Sequence, residues 1–142
     1  MASPDARILI VDDCEINRKI LQKLLRKEYT LECAVDGEDC LRKVEAFDPR
    51  VVLLDVMMPG LDGYEVCRQV KSAAANRFRQ VILLSGRGTA AERLRGYECL
   101  ADDYLVKPFD HDELVWKVRV QFRLWEQFCS SGVIASSEPS GA

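Results

Sequence analysis

A chain of 142 residues is long enough to fill one hydrophobic core and too short for two ordinary domains. Its 48% hydrophobic and 30% charged residues exclude disordered and fibrous classes. The net charge is −3 with no basic block, which argues against direct nucleic-acid binding. No apolar run nears the roughly 20 residues of a membrane span and residues 1–5 are polar, so the expected location is the cytoplasm.

Apolar runs of strand length alternate five times with segments of helical period. The first strand is expected at 7–11 (RILIV). A helix at 15–27 follows, with Ile16, Ile20 and Leu24 four residues apart, Leu21 and Leu25 widening the stripe, and Asp13 as N-cap. A second strand at 29–35 leads to a helix at 37–47, which carries Cys40, Leu41 and Val44 on one side and stops at Asp48-Pro49. Strands at 51–54, 81–84 and 104–106 alternate with helices at 63–73, 89–97 and 110–128. The first, third and fourth strands are nearly continuous Val, Ile and Leu, the signature of parallel strands buried on both faces. The expected fold class is therefore α/β, a doubly wound (βα)5 domain over residues 1–128, with 129–142 a flexible tail or the start of a linker. Cys14, Cys33, Cys40, Cys67, Cys99 and Cys129 lack metal-site spacing and are expected to be reduced and mostly buried.

In open parallel sheets, functional groups gather at the carboxyl ends of the strands. Asp12-Asp13 follow the first strand, Asp55 the third, Ser85-Gly86 the fourth and Lys107-Pro108 the fifth. Each taken alone is ordinary turn or cap chemistry. Together they crowd three carboxylates on one edge, where each ionised group raises the cost of ionising the next. A divalent cation and a lysine relieve that repulsion, and magnesium suits a few carboxylate and carbonyl oxygens completed by phosphate. Phosphoryl transfer to a carboxylate needs this set: a nucleophile, a metal, a fixed cation and a hydroxyl. Gly86-Arg87-Gly88 completes no nucleotide-binding loop and reads as a flexible loop beside the site. His111 is expected to be a solvated residue away from the site edge, and Met57 and Met58 to be loop residues that pack on the domain.

The motifs ILIVDD, VVLLDVMMPGLDG, ILLSG and ADDYLVKPF make the chain resemble the receiver domains of two-component signalling from about residue 7 to about residue 123. The resemblance implies a flavodoxin-like five-stranded parallel sheet of order 2-1-3-4-5. It implies that Asp55 accepts phosphate from a histidine kinase or histidine phosphotransfer protein. Asp13, Asp55 and the backbone carbonyl of Met57 would bind Mg2+, with Asp12 acting through a water. Lys107 and Ser85 would hold phosphoryl oxygens, the Lys107-Pro108 bond would be cis, and Ser85 and Tyr104 would be switch residues. Tyr104 would move from exposed to buried as the surface of the fourth helix, fifth strand and fifth helix shifts. The chain departs from the pattern at Leu100, where glycine is usual, and at Ser85, where threonine is also frequent. Glu15-Ile16-Asn17-Arg18 is similar to receivers attached to hybrid kinases or cyclase-type outputs.

The expected role is a switch, with self-assisted phosphorylation and slow autodephosphorylation, rather than a classical enzyme. A phosphate-independent pseudo-receiver adaptor is the alternative, disfavoured by the intact Asp12, Asp13, Asp55, Ser85 and Lys107. A haloacid-dehalogenase-type phosphatase is a weaker one, since Val56-Met57 follow Asp55 where that chemistry wants Asp-x-Asp. Met57 and Arg87, each two residues beyond Asp55 and Ser85, suggest a long-lived phosphoryl group. In the fifth helix, Leu114, Val118, Phe122 and Trp125 form the core stripe, while Trp116, Val120, Leu124 and Phe128 form a nearly opposite one. The second stripe is expected to be exposed and to contact a second copy or an output domain.

Overall fold

The computed structural model describes residues 5–73 and 78–130. Its elements run β1 (Arg7–Val11), α1 (Glu15–Leu25), β2 (Thr30–Ala34), α2 (Gly37–Phe47), β3 (Val51–Asp55), α3 (Gly63–Ala73), β4 (Gln80–Ser85), α4 (Ala90–Glu98), β5 (Asp103–Val106) and α5 (His111–Ser130). The five strands are parallel in the order β2-β1-β3-β4-β5, a flavodoxin-like sheet.

Strand alternation divides the interior into two cores. Leu9, Val11, Val52, Leu54, Val81 and Leu83 face one side and pack with Cys40 and Val44 of α2 and Val66 and Val70 of α3. Ile8, Ile10, Val51, Leu53, Ile82 and Leu84 face the other, with Leu21 and Leu25 of α1 and Leu114, Val118 and Phe122 of α5. The Val/Ile/Leu runs are thus buried on both sides, as parallel strands between two helical layers require. Residue by residue, Leu54 pairs with Val11 on one side and Leu83 on the other, which brings the ends of β1, β3 and β4 level at one edge.

The structure corrects several sequence expectations. Asp13 does not cap α1; Cys14 occupies that position and its side chain makes no capping bond. The buried residues of α1 are Leu21 and Leu25, while Ile16 and Ile20 are exposed, so the face that meets the sheet lies to one side of the expected stripe. Of the cysteines, three are buried, Cys33 is half-buried, and Cys14 and Cys129 are exposed; none is joined in a disulfide. Helix α5 continues through Ser130, two residues into the expected tail, and 131–142 lie outside the described residues.

Other expectations hold. Asp48 closes α2 in a left-handed conformation (φ 53°) directly before Pro49. The first α5 stripe is inward, with Trp125 partly covered. Trp116, Val120 and Leu124 are exposed; Phe128 instead leans on Phe78, ring centroids 5.5 Å apart. At the end of α4, Leu100 adopts φ 74°. Its N–H bonds to the Tyr97 carbonyl and that of Ala101 to the Gly96 carbonyl, a Schellman closure whose left-handed residue is ordinarily glycine. Leucine holds that conformation at a cost of about 1–2 kcal/mol.

Candidate functional site

The strand ends converge on a small acidic cluster. Asp12 directly follows β1 and is almost fully buried, while Asp13 beside it is exposed. Asp55 is the last residue of β3 and Ser85 the last of β4, each one position further into its strand than expected. One carboxylate oxygen from each of Asp12, Asp13 and Asp55 lies within 4.8 Å of the others.

Hydrogen bonds fix most of this cluster. Asp55 Oδ1 accepts from the Met57 N–H at 2.9 Å, and Asp55 Oδ2 lies 3.2 Å from Lys107 Nζ. Asp12 Oδ1 accepts from the Cys14 N–H at 2.9 Å, while Asp12 Oδ2 is buried without a hydrogen bond and 3.6 Å from Lys107 Nζ. Burial holds the Asp12 carboxyl above its usual range, with a further push from the Asp55 charge; the Cys14 N–H and Lys107 pull the other way. A buried carboxylate with one oxygen lacking a hydrogen bond, beside two more carboxylates, is a donor set that suits a hard divalent cation.

The loops that carry these groups are anchored. Lys107 is delivered by β5; its own N–H bonds to the Ser85 carbonyl at 2.7 Å, and the Lys107-Pro108 bond is cis. Ser85 is fully buried, and its Oγ accepts from the Arg87 N–H at 3.0 Å. Behind Asp55 the chain turns tightly against α3, where a Cβ at Gly63 would sit 2.5 Å from Val56 Cα. Only glycine permits that approach, so the Asp62-Gly63 pair sets the course of the loop that follows Asp55.

Tyr104 occupies the inward of its two expected positions. Its ring is buried, and its hydroxyl donates to the Arg87 carbonyl at 2.8 Å and lies 3.3 Å from the Tyr64 hydroxyl. Tyr64 in turn donates to Glu92 Oε1 at 2.8 Å, and burial together with these partners pushes the Tyr64 phenol up. The side chain of Met57 is exposed. His111 is exposed as expected but is not remote: with Asn17, Ile20, Phe109 and Pro108 it lines a cavity of about 380 Å³ that reaches Asp12 and Lys107. Sequence reasoning missed Arg18, whose guanidinium bonds to the Asp12 carbonyl, and the surroundings of Tyr104, namely Gly96 and Tyr64, the latter tied to Glu92. Only the Asn17-Arg18 pair left a trace, as part of a family-like motif.

A 2-1-3-4-5 parallel sheet that sets Asp55 against Lys107 inside an acidic strand-end cluster defines a flavodoxin-like, CheY-like signalling domain rather than a classical enzyme. The chain belongs to the response regulator receiver domain family, which it matches over residues 8–119, and is thus a receiver domain of two-component systems. It is 38% identical over 120 residues to the transcriptional regulatory protein ResD of Bacillus subtilis, covering 84% of this chain and 49% of that one. It is 41% identical over 115 residues to the response regulator PleD of Caulobacter vibrioides, covering 80% and 25%. Among solved structures, the BeF3-activated DrrB receiver domain superposes with a TM-score of 0.75 at 36% identity, covering 82% of this chain and 97% of that one. The chemotaxis protein CheY4 of Vibrio cholerae gives 0.75 at 28% identity, covering 80% and 96%. The chain thus spans about half the length of ResD and a quarter of PleD. Receiver domains generally bind Mg2+ in an acidic pocket, and Asp12, Asp13 and Asp55 form such a cluster here. No helix among the described residues is long and apolar enough to cross a membrane.

Proposed function

We propose that this domain is a phosphorylation-dependent switch in which Asp55 takes a phosphoryl group from the phosphohistidine of a histidine kinase or phosphotransfer protein. The observation that carries the reading is the Asp55 carboxylate, held by the Met57 N–H on one oxygen and by Lys107 on the other, beside two further carboxylates. An Asp55 oxygen forms the new P–O bond as the P–N bond of the donor breaks and the imidazole leaves. Asp13, Asp55 and the Met57 carbonyl would hold Mg2+, with Asp12 acting through a water. The bound cation would neutralise the charge on the phosphoryl oxygens. Lys107 and Ser85 would each take a phosphoryl oxygen, and the shift of Ser85 would be read by Tyr104 and the α4–β5–α5 surface.

The exposed Trp116, Val120 and Leu124 on α5 favour that helix as the contact for a second copy or an output domain. Mass spectrometry after incubation with a small acyl phosphate tests the main reading. One added phosphoryl group is expected, dependent on magnesium and absent from Asp55→Asn. A wild-type chain that gains no mass would instead mark a phosphate-independent adaptor.

A further inference from the structure

Helix α1 begins without the device that usually starts a helix. Cys14 sits at the N-cap in extended conformation (φ −93°, ψ 118°) and contributes no side-chain bond. Nothing at that position satisfies the first-turn N–H groups as a Ser or Asp cap would. The turn from β1 into α1 is held from its two sides instead. Asp12 Oδ1 takes the Cys14 N–H, and Arg18, one turn into the helix, reaches back so that its Nη1 donates to the Asp12 backbone carbonyl at 2.7 Å.

That carbonyl belongs to the peptide joining Asp12 to Asp13. A peptide is planar, so a clamp on its oxygen fixes where the Asp13 backbone begins as well as where Asp12 ends. The Asp12 N–H is tied across the sheet to the Ala34 carbonyl at 3.1 Å. Three of the four polar groups of Asp12 are therefore engaged, and only Oδ2 is left buried and without a hydrogen bond in the acidic cluster. Arg18 bonds to the peptide and not to a carboxylate, so its contribution is to geometry. A charge-assisted donor at this distance belongs to the strong class of hydrogen bonds.

We propose that Arg18 is a positioning residue for the acidic site: by clamping the Asp12–Asp13 peptide it sets the spacing of the two carboxylates and so the affinity of the domain for Mg2+. This rests on the reading of the site as a magnesium-dependent phosphoacceptor. The test is calorimetric titration of the full chain with magnesium chloride, alongside the rate of labelling by a small acyl phosphate across magnesium concentrations. Arg18→Met keeps most of the aliphatic stem and removes the donor, and Arg18→Lys restores a single donor.

Arg18→Met is expected to weaken Mg2+ binding about tenfold, the scale seen when an outer-shell partner of a metal ligand is lost. The midpoint of the magnesium dependence of labelling should rise by the same factor while its plateau is kept, and Arg18→Lys should recover part of the loss. A folded Arg18→Met with wild-type affinity overturns the inference, as does one with unchanged affinity and a lower plateau. A wild-type chain that neither binds magnesium nor takes a phosphoryl group overturns the functional reading itself, an outcome distinct from the other two.

Discussion

Gly96, buried on α4, makes room for the inward Tyr104. A Cβ added there would lie 2.9 Å from Leu83 Cδ1 and 3.0 Å from Tyr104 Cδ2. Leu83 is fully buried on β4 between two paired strands and has nowhere to go, so Tyr104 must yield in Gly96→Ala. If the ring stays, overpacking costs about 1–3 kcal/mol. If it swings out, the loss is about 1.5–3 kcal/mol of apolar burial and about 1 kcal/mol for the hydrogen bond to the Arg87 carbonyl. Replacing glycine by alanine inside a helix returns about 1 kcal/mol. The net destabilisation is about 0–2 kcal/mol if the ring stays and about 1.5–3 kcal/mol if it swings out, and each kcal/mol lowers Tm of a domain of this size by about 4 °C. Thermal unfolding by circular dichroism gives that number, and NMR of labelled tyrosine rings reports whether Tyr104 has become solvent-exposed. A variant more stable than wild type with Tyr104 unmoved would refute this account of the pocket.

Asp39 offers a pH test away from the site. Burial raises its pKa, but the Val35 N–H, Lys43 and Arg42 outweigh that, so the folded value is lowered. A lowered carboxylate stabilises the fold above its unfolded value of about 4 and loses that contribution as pH falls through the folded value. Asp39→Asn should therefore cost about 1 kcal/mol at pH 7 and progressively less in acid, as denaturant titrations at several pH values would reveal. The phosphoryl group on Asp55 should be long-lived, because the Met57 thioether does not orient a water and the Arg87 guanidinium can cover phosphoryl oxygens. The double change Met57→Asn with Arg87→Glu should speed dephosphorylation, and an unchanged or slower decay of the labelled mass would remove that reasoning. Light scattering on wild type and on Trp116→Glu with Leu124→Glu tests the α5 surface. Concentration-dependent association is expected in wild type and its loss in the variant, while a wild-type monomer under all conditions excludes self-association.

The order of elements and the list of residues at the strand ends were legible in the sequence, because both depend on local patterns. Four-residue Val/Ile/Leu runs alternating with helical segments read as parallel strands covered on both faces, and Asp12, Asp13, Asp55, Ser85 and Lys107 stand at the ends of the strand segments. The two stripes of α5 were also readable, since a helix on a sheet buries one side whatever the rest of the chain does. Tertiary structure decided what depends on residues far apart in the chain. The face of α1 that meets the sheet is set by its packing, which left Ile16 exposed and buried Leu21 and Leu25. His111, at the start of α5, lines the cavity beside Asp12 together with Asn17, Ile20 and Leu21 of α1, an element far from it in the chain. The Tyr104 pocket exists only where Gly96, Leu83 and Tyr64 meet from three different elements, and no spacing along the chain announces such a meeting.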